Sequence, residues 1–223
     1  MKLPKIGFIL SCLCLFVGCQ NAQINKETLA NQVNHQLNEA TTYQQATQIS
    51  QKTTTNEGTQ TAQQTNQLTI ENNELVNATV ISKQSQQPSQ YLELKQEDGT
   101  TYTRELDSDW LKVAHPNQER DQFTLFTMQE IQRIVNEVAN DGEWNSRTNQ
   151  TTIDYHKQQD DLLNLFNRVA IVQLNPKATH DITITINPKE QTLTHIHWTI
   201  TGTNRSTGEP VKATVDIQSQ MAT

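Results

Sequence analysis

The sequence predicts an α+β domain built on a single strongly curved antiparallel β-sheet, a half-barrel, with helices packed on its concave face. Three observations predict it. Apolar residues recur at helical spacing in three stretches, while isoleucines alternate with threonines through the C-terminal third of the chain. The apolar fraction is only 34%, so a sheet covered on one side is the economical way to bury a thin core.

The first helix is placed at 27–43, where Leu29, Val33, Leu37 and Ala40 make one stripe. From Gln44 the period changes to loose alternation with many β-branched residues, as a strand requires. Asn56 to Asn66 is polar, contains Gly58 and reads as a loop or frayed hairpin end. Leu68 to Ile70 and Leu75 to Ile81 resume strand character. Tyr91–Gln96 and Thr101–Leu106 flank Asp98-Gly99, a dipeptide that can take the positive φ values of a tight hairpin. Trp110 to Val113 continues this meander, and His115-Pro116 ends it.

Thr127-Met128-Gln129-Glu130 has the spacing of a capping box, and Met128, Ile131, Val135 and Val138 give the following helix an apolar face up to Gly142. Gln150–Tyr155 is expected to be a strand. Gln158–Ala170 is expected to be a helix with Leu162, Leu165, Phe166 and Val169 on one side. Then Ile182, Ile184 and Ile186 alternate, Asn187-Pro188-Lys189-Glu190 turns the chain, and Ile196, Trp198 and Ile200 alternate again. Val211, Ala213, Val215 and Ile217 complete the last strand. Such alternation implies one covered face and one wet face.

The N-terminus has a different grammar. Lys2 and Lys5 precede the apolar run Ile6–Phe16, and Val17-Gly18 stands before Cys19. A positive start, a short apolar run and small residues make a secretion signal, and the run is shorter than the roughly 20 residues of a membrane span. Phe16-Val17-Gly18-Cys19 resembles the lipobox of bacterial lipoproteins, with Phe16 where that family usually has Leu. The resemblance implies that residues 1–18 are removed and that the Cys19 thiol carries a diacylglyceryl group. Residues 19–26 would then be a lipidated tether and 27–223 the folded domain. No cysteine follows position 19, so a disulfide framework is not expected. Two or three acyl chains on one cysteine would hold the chain at the outer face of the cell membrane, tethered without spanning it.

The formal net charge is −7, and more negative once Lys2 and Lys5 are removed. That balance, with no basic patch, excludes nucleic acid as an expected partner. G-x-S-x-G, phosphate-binding glycine loops and H-E-x-x-H are all missing, so an enzyme is the least favoured class and no cofactor is expected. Which protein partner it meets, if any, the sequence does not say.

The helix at 27–43, the meander with its Asp98-Gly99 turn, the Trp110-Leu111-Lys112 edge and the patterns TTIDYHKQQDDLLNLFNRVA (151–170) and HDITITINPKEQTLTHIHWTITG (180–202) together resemble a family. It is the Gram-positive envelope lipoproteins with the fold of periplasmic lipoprotein carriers and mycobacterial lipid-binding lipoproteins, the LolA/LppX-like fold. The resemblance extends over most of residues 27–218. It implies a cleft between sheet and helices that holds a lipid or acyl chain.

The candidate lining is Leu29, Val33 and Leu37 from the first helix, Ile131 and Val135 from the second, Leu162 and Phe166 from the third, and Ile184, Ile196 and Trp198 from the sheet. The alternative is that these ten residues are plain hydrophobic core, in a structural or interaction lipoprotein with a solid interior. His195 and His197, two apart on a strand, face one side and could share a metal, with His180 as the only nearby helper. A solvated strand face explains them as well, and no metal site is expected. Asp160-Asp161 could be paired carboxylates, or the acidic first turn of a helix.

Overall fold

The computed structural model describes residues 25–221, so the signal, Cys19 and most of the tether lie outside the described residues. Fifteen elements follow in order. They are α1 (Lys26–Glu39), β1 (Tyr43–Thr55), β2 (Gly58–Glu71), β3 (Glu74–Gln84), β4 (Gln90–Glu97), β5 (Thr100–Glu105), β6 (Leu111–Lys112), α2 (Pro116–Phe123), α3 (Met128–Asp141), β7 (Glu143–Arg147), β8 (Gln150–Lys157), α4 (Asp160–Val169), β9 (Thr179–Asn187), β10 (Thr192–Thr203) and β11 (Pro210–Met221).

All eleven strands form one curved, open antiparallel sheet in the order β6-β5-β4-β3-β2-β1-β11-β10-β9-β8-β7. Two meanders therefore run outward from a central seam, where the first strand meets the last with Ile49 opposite Val215 and Gln51 opposite Ala213. Among the described strands that seam is the pairing most distant in sequence, and it joins the two meanders into a single sheet. The outermost strands are short, β6 with two residues and β7 with five, which limits edge-to-edge association.

Local chemistry explains the joints. Asn72-Asn73 and Asp98-Gly99 each place two consecutive residues at positive φ (52° and 67°, 50° and 71°), the conformation a two-residue hairpin needs to match strand twist. The capping box at α3 is formed: Thr127 Oγ1 accepts from the Glu130 backbone N–H at 3.3 Å, and the Thr127 N–H donates to Glu130 Oε2 at 2.9 Å. Gly142 ends that helix where its chain passes closest to β8. A Cβ there would stand 2.5 Å from the Val138 carbonyl oxygen and 2.6 Å from Ile153 Cγ2, so no larger residue fits without displacing the helix end.

α1, α3 and α4 cover the half of the sheet from β1 through β11 to β8, and the large apolar cluster lies between these layers. A smaller cluster sits under α2, where Phe123 meets Leu68, Ile70, Ala78, Val80 and Leu94 from β2, β3 and β4. Among the described residues no helix is long and apolar enough to cross a membrane.

Several expectations need correction. The first helix stops at Glu39, because Thr41 to Tyr43 lead into β1, whose pairing on both sides outweighs another helical turn. Residues 58–66, expected as loop, belong to β2. Their only turn is at Asn56-Glu57, and Gly58 (φ 134°) opens the return strand opposite Thr55. His115-Pro116 does end the meander, but Pro116 also begins α2, an unforeseen helix whose one large apolar residue, Phe123, is fully buried, so there was no stripe to detect. β7 was not foreseen either, since Trp144 is the one large apolar residue in Glu143–Arg147.

Candidate functional site

The structure brings all ten proposed lining residues together. Leu29, Val33 and Leu37 of α1, Ile131 and Val135 of α3, Leu162 and Phe166 of α4, Ile184 of β9 and Ile196 and Trp198 of β10 belong to one cluster, each at most 3% exposed. Helical spacing of three and four puts the first seven on the sheet-facing sides of their helices. Strand parity puts the other three on the helix-facing side of the sheet. Trp198 is the hub. Its ring centroid lies 6.0 Å from Phe166 in an edge-on arrangement and 6.4 Å from Phe126, geometries that aromatic pairs favour.

How the helices are fastened matters for what this interior can do. Polar ties run sideways within the helical layer. Asn34 of α1 donates to Asn136 of α3, Gln132 of α3 donates to the Asn34 carbonyl, Gln159 donates to Glu137, and Arg168 of α4 pairs with Glu130 of α3 at 2.7 Å. Ties from this layer to the sheet lie at the perimeter. Gln36 reaches the Glu190 carbonyl in the β9–β10 turn, Trp144 donates to the Ala139 carbonyl, and Lys157 pairs with Asp141. Over the middle of the sheet the two layers meet through apolar side chains.

A second set of polar pins comes from the sheet itself, and the sequence reading missed it. Gln45 donates to the Phe126 carbonyl at 3.1 Å. Gln51 both donates to the Val172 carbonyl and accepts from the Val172 N–H, each at 2.9 Å. Asn66 donates to the Phe123 carbonyl at 2.8 Å. All three amides are buried, and they satisfy loop backbone groups that would otherwise be stranded. The signal was present: Gln45 and Gln51 share the odd parity of Ile49, the inward-facing set of β1.

His180 belongs to the interior too. It is fully buried, accepts at Nδ1 from Trp198 Nε1 at 3.1 Å, and lies with its ring 5.6 Å from that indole. Burial pulls its pKa down from 6.5 to about 4, partly opposed by the backbone of Gln159 and by Asp181. As a helper for His195 and His197 it is therefore misplaced, because they sit on the opposite face. Those two imidazoles both reach Asp216 Oδ1, His195 Nε2 at 3.2 Å and His197 Nδ1 at 2.7 Å. Among the described residues no group of three or more His, Cys, Asp or Glu side chains is arranged to hold a metal. Asp160 and Asp161 stand in the first turn of α4, where negative charge complements the helix dipole.

Of five clefts on the surface of the described residues, none is lined by any of the ten cluster residues. Two of them open on the helix-side face beyond the helical cover. One, about 370 Å³, is bordered by Gln51, Thr53, Gln84 and Ile171, and the other, about 450 Å³, by Gln64, Ser82, Leu92 and Leu106. The largest, about 670 Å³, lies on the other face.

No family model matches the chain, and no curated protein matches it. Solved structures similar to it include LprF from Mycobacterium bovis, 10% identical, with 87% of this chain and 91% of that chain covered and a TM-score of 0.45. A LolA superfamily protein from Nitrosomonas europaea is 7% identical over 89% of this chain and 94% of its own, with a TM-score of 0.27. A putative outer membrane lipoprotein-sorting protein domain from Vibrio parahaemolyticus is 11% identical over 89% and 94%, with a TM-score of 0.24. These likenesses concern the course of the chain alone.

Proposed function

We propose that the protein is an envelope lipoprotein, held at the outer face of the cell membrane by a diacylglyceryl group on Cys19, that binds a lipid or acyl chain between its helical layer and its sheet without acting as an enzyme. The observation that carries this reading is the fastening pattern. The helices are tied to one another sideways and to the sheet around the perimeter, and the Gln45 and Gln51 pins stand on β1, the edge strand of the covered half, so over the middle the two layers meet mainly through apolar side chains that an inserted chain can part. The surface so opened is mainly apolar, with His180, Thr47 and Thr151 as polar exceptions. An inserted chain would restore the burial lost on opening, each methylene contributing about 0.8 kcal/mol. The resemblance in the sequence supports the same ligand class.

Val135 tests it, because it is fully buried at the centre of α3 facing the sheet. Displacement of a fluorescent fatty acid from the 25–221 fragment should show saturable binding, weakened at least about tenfold by Val135→Gln, equivalent to about 1.4 kcal/mol. A second reading has its own observation: the ten residues are already packed, and the clefts seen are polar-lined. In that reading the domain is a solid interaction module. Val135→Gln would then bury an unpaired amide at about 1–3 kcal/mol, with no binding to lose. No saturable binding by the wild-type fragment, beside a large stability loss in the variant, would leave the interaction module standing.

The anchor is tested separately. Cys19→Ser should abolish incorporation of labelled fatty acid and release the chain from the membrane fraction or leave it unprocessed. Continued labelling would show that another residue carries the lipid.

A further inference from the structure

We infer that the outer face of the sheet carries a second binding site, a polar trough across the strands that takes a neutral linear glycan. The trough is the 670 Å³ cleft, and the strand registers build it. In one row across the sheet Gln218, Ala46, Gln67, Thr79 and Glu93 stand side by side on β11, β1, β2, β3 and β4. In the next row Gln220, Gln44, Thr69, Asn77 and Lys95 do the same. Short residues, Ala46, Thr69 and Thr79, leave the floor low between longer amides. Thr194 of β10 closes one end and Trp110 the other. Crossing from β10 to β4 spans five strand intervals, about 24 Å, the length of an oligosaccharide and not of a single sugar.

The side chains define the ligand's chemistry. Gln44, Gln67, Asn77, Gln218 and Gln220 are exposed, and none has a side-chain hydrogen bond among the described residues. On the helix side the comparable amides Gln45, Gln51 and Asn66 are all bonded. Five free amides, each able both to donate and to accept, suit a ligand rich in hydroxyl groups. At the end of the trough the indole of Trp110 is held by two cations, Lys95 Nζ 4.9 Å and the Arg104 guanidinium 4.6 Å from the ring centroid. Arg104 is in turn paired with Glu93, which accepts from the Tyr91 hydroxyl at 2.6 Å. The cations hold the half-buried indole at the end of the trough, and the part of it they leave uncovered is an apolar contact for the C–H groups of a sugar ring.

Other ligands fit less well. An acyl chain would cover amides without burying methylenes in an apolar wall. Polyanions meet a chain of net charge −7, whose trough offers one ammonium beside one carboxylate. An extended peptide gains its affinity by adding to a sheet edge, yet every strand under the trough is already paired on both sides. A neutral polyhydroxylated chain is what remains.

The test is calorimetric titration of the full chain, held in a sugar-free detergent such as lauryldimethylamine oxide, with chitopentaose and with cellopentaose. Saturable binding of either is expected, and a preference for the first would assign the amides to acetamido groups. Trp110→Ala should weaken binding at least about tenfold, and so should Ala46→Tyr, which raises the floor between Gln67 and Gln218, with its urea midpoint unchanged. Failure of both sugars to bind, or full binding retained in either variant, would overturn the site. Fatty-acid displacement is read on the opposite face, so the two ligand readings stand or fall separately.

Discussion

Trp198→Ala is expected to lower the unfolding free energy by about 3–5 kcal/mol, the range for removing a large aromatic ring from a closed core. Against a typical domain stability of about 5–15 kcal/mol, that is a large share. Trp198 is fully buried where three elements and a loop meet: it pairs with Ile182 on β9 and Val215 on β11, touches Phe166 of α4, and meets Phe126 just before α3. Its truncation leaves a hole that strands paired on both sides cannot close. It also leaves His180 Nδ1 without its donor, adding roughly 1–3 kcal/mol for an unsatisfied buried acceptor. Urea unfolding should show a lower midpoint with an unchanged slope. A loss below about 1 kcal/mol would mean that the ring borders open space and does not fill a packed one. The same experiment therefore bears on the ligand question. A small loss accompanied by stronger fatty-acid binding would favour a lipid space under α4, whereas the large loss expected here describes the ligand-free protein as closed.

Much of the fold is legible in the sequence because each strand of the C-terminal meander has one wet and one dry face. Ile182, Ile184 and Ile186 of β9, and Ile196, Trp198 and Ile200 of β10, alternate because the helices cover only one side. The capping box at Thr127 and the Asp98-Gly99 turn are legible for a different reason: their conformations depend on residues three or fewer apart. Where both faces of a strand are polar the signal disappears. Residues 58–66 extend past the helical cover, so nothing forces alternation there, and Gln and Thr on both sides look like loop. α2 fails the same way, having one buried anchor and no stripe.

The site was legible only in part. Parity and helical spacing place the ten residues in one buried cluster, since both follow from burial. His180 could have been placed by the same rule: it shares the even parity of Ile182, Ile184 and Ile186, and so faces inward, away from His195 and His197. The outer trough was beyond reach, because its rows join β4 to β11 through the β1–β11 seam. Register across a seam that links residue 43 to residue 221 is set by tertiary packing of the two meanders, and no local pattern encodes it.

His180 also makes stability depend on pH, and the sign follows from which state holds the proton. In the folded protein the ring is buried and neutral, with a pKa lowered from 6.5 to about 4 chiefly by desolvation. Protonation would turn Nδ1 from acceptor to donor, setting it against the Trp198 indole N–H that now points at it. Between these two values the unfolded chain binds more protons than the folded one, so stability rises with pH across that window. The contribution is complete above about pH 6.5 and lost as pH falls to about 4, amounting to roughly 3 kcal/mol. Below that no further loss comes from this residue. Contributions common to both proteins cancel when the measurement is a difference. His180→Gln retains an acceptor for Trp198 but cannot take up a proton. Urea unfolding at pH 7, 5.5 and 4 should show the wild-type protein losing roughly 3 kcal/mol more than the variant over that range, even if the variant starts less stable. Parallel pH profiles for the two proteins would mean that the buried imidazole either finds a partner for its proton or is not enclosed, and the coupling between His180 and the core around Trp198 would have to be abandoned.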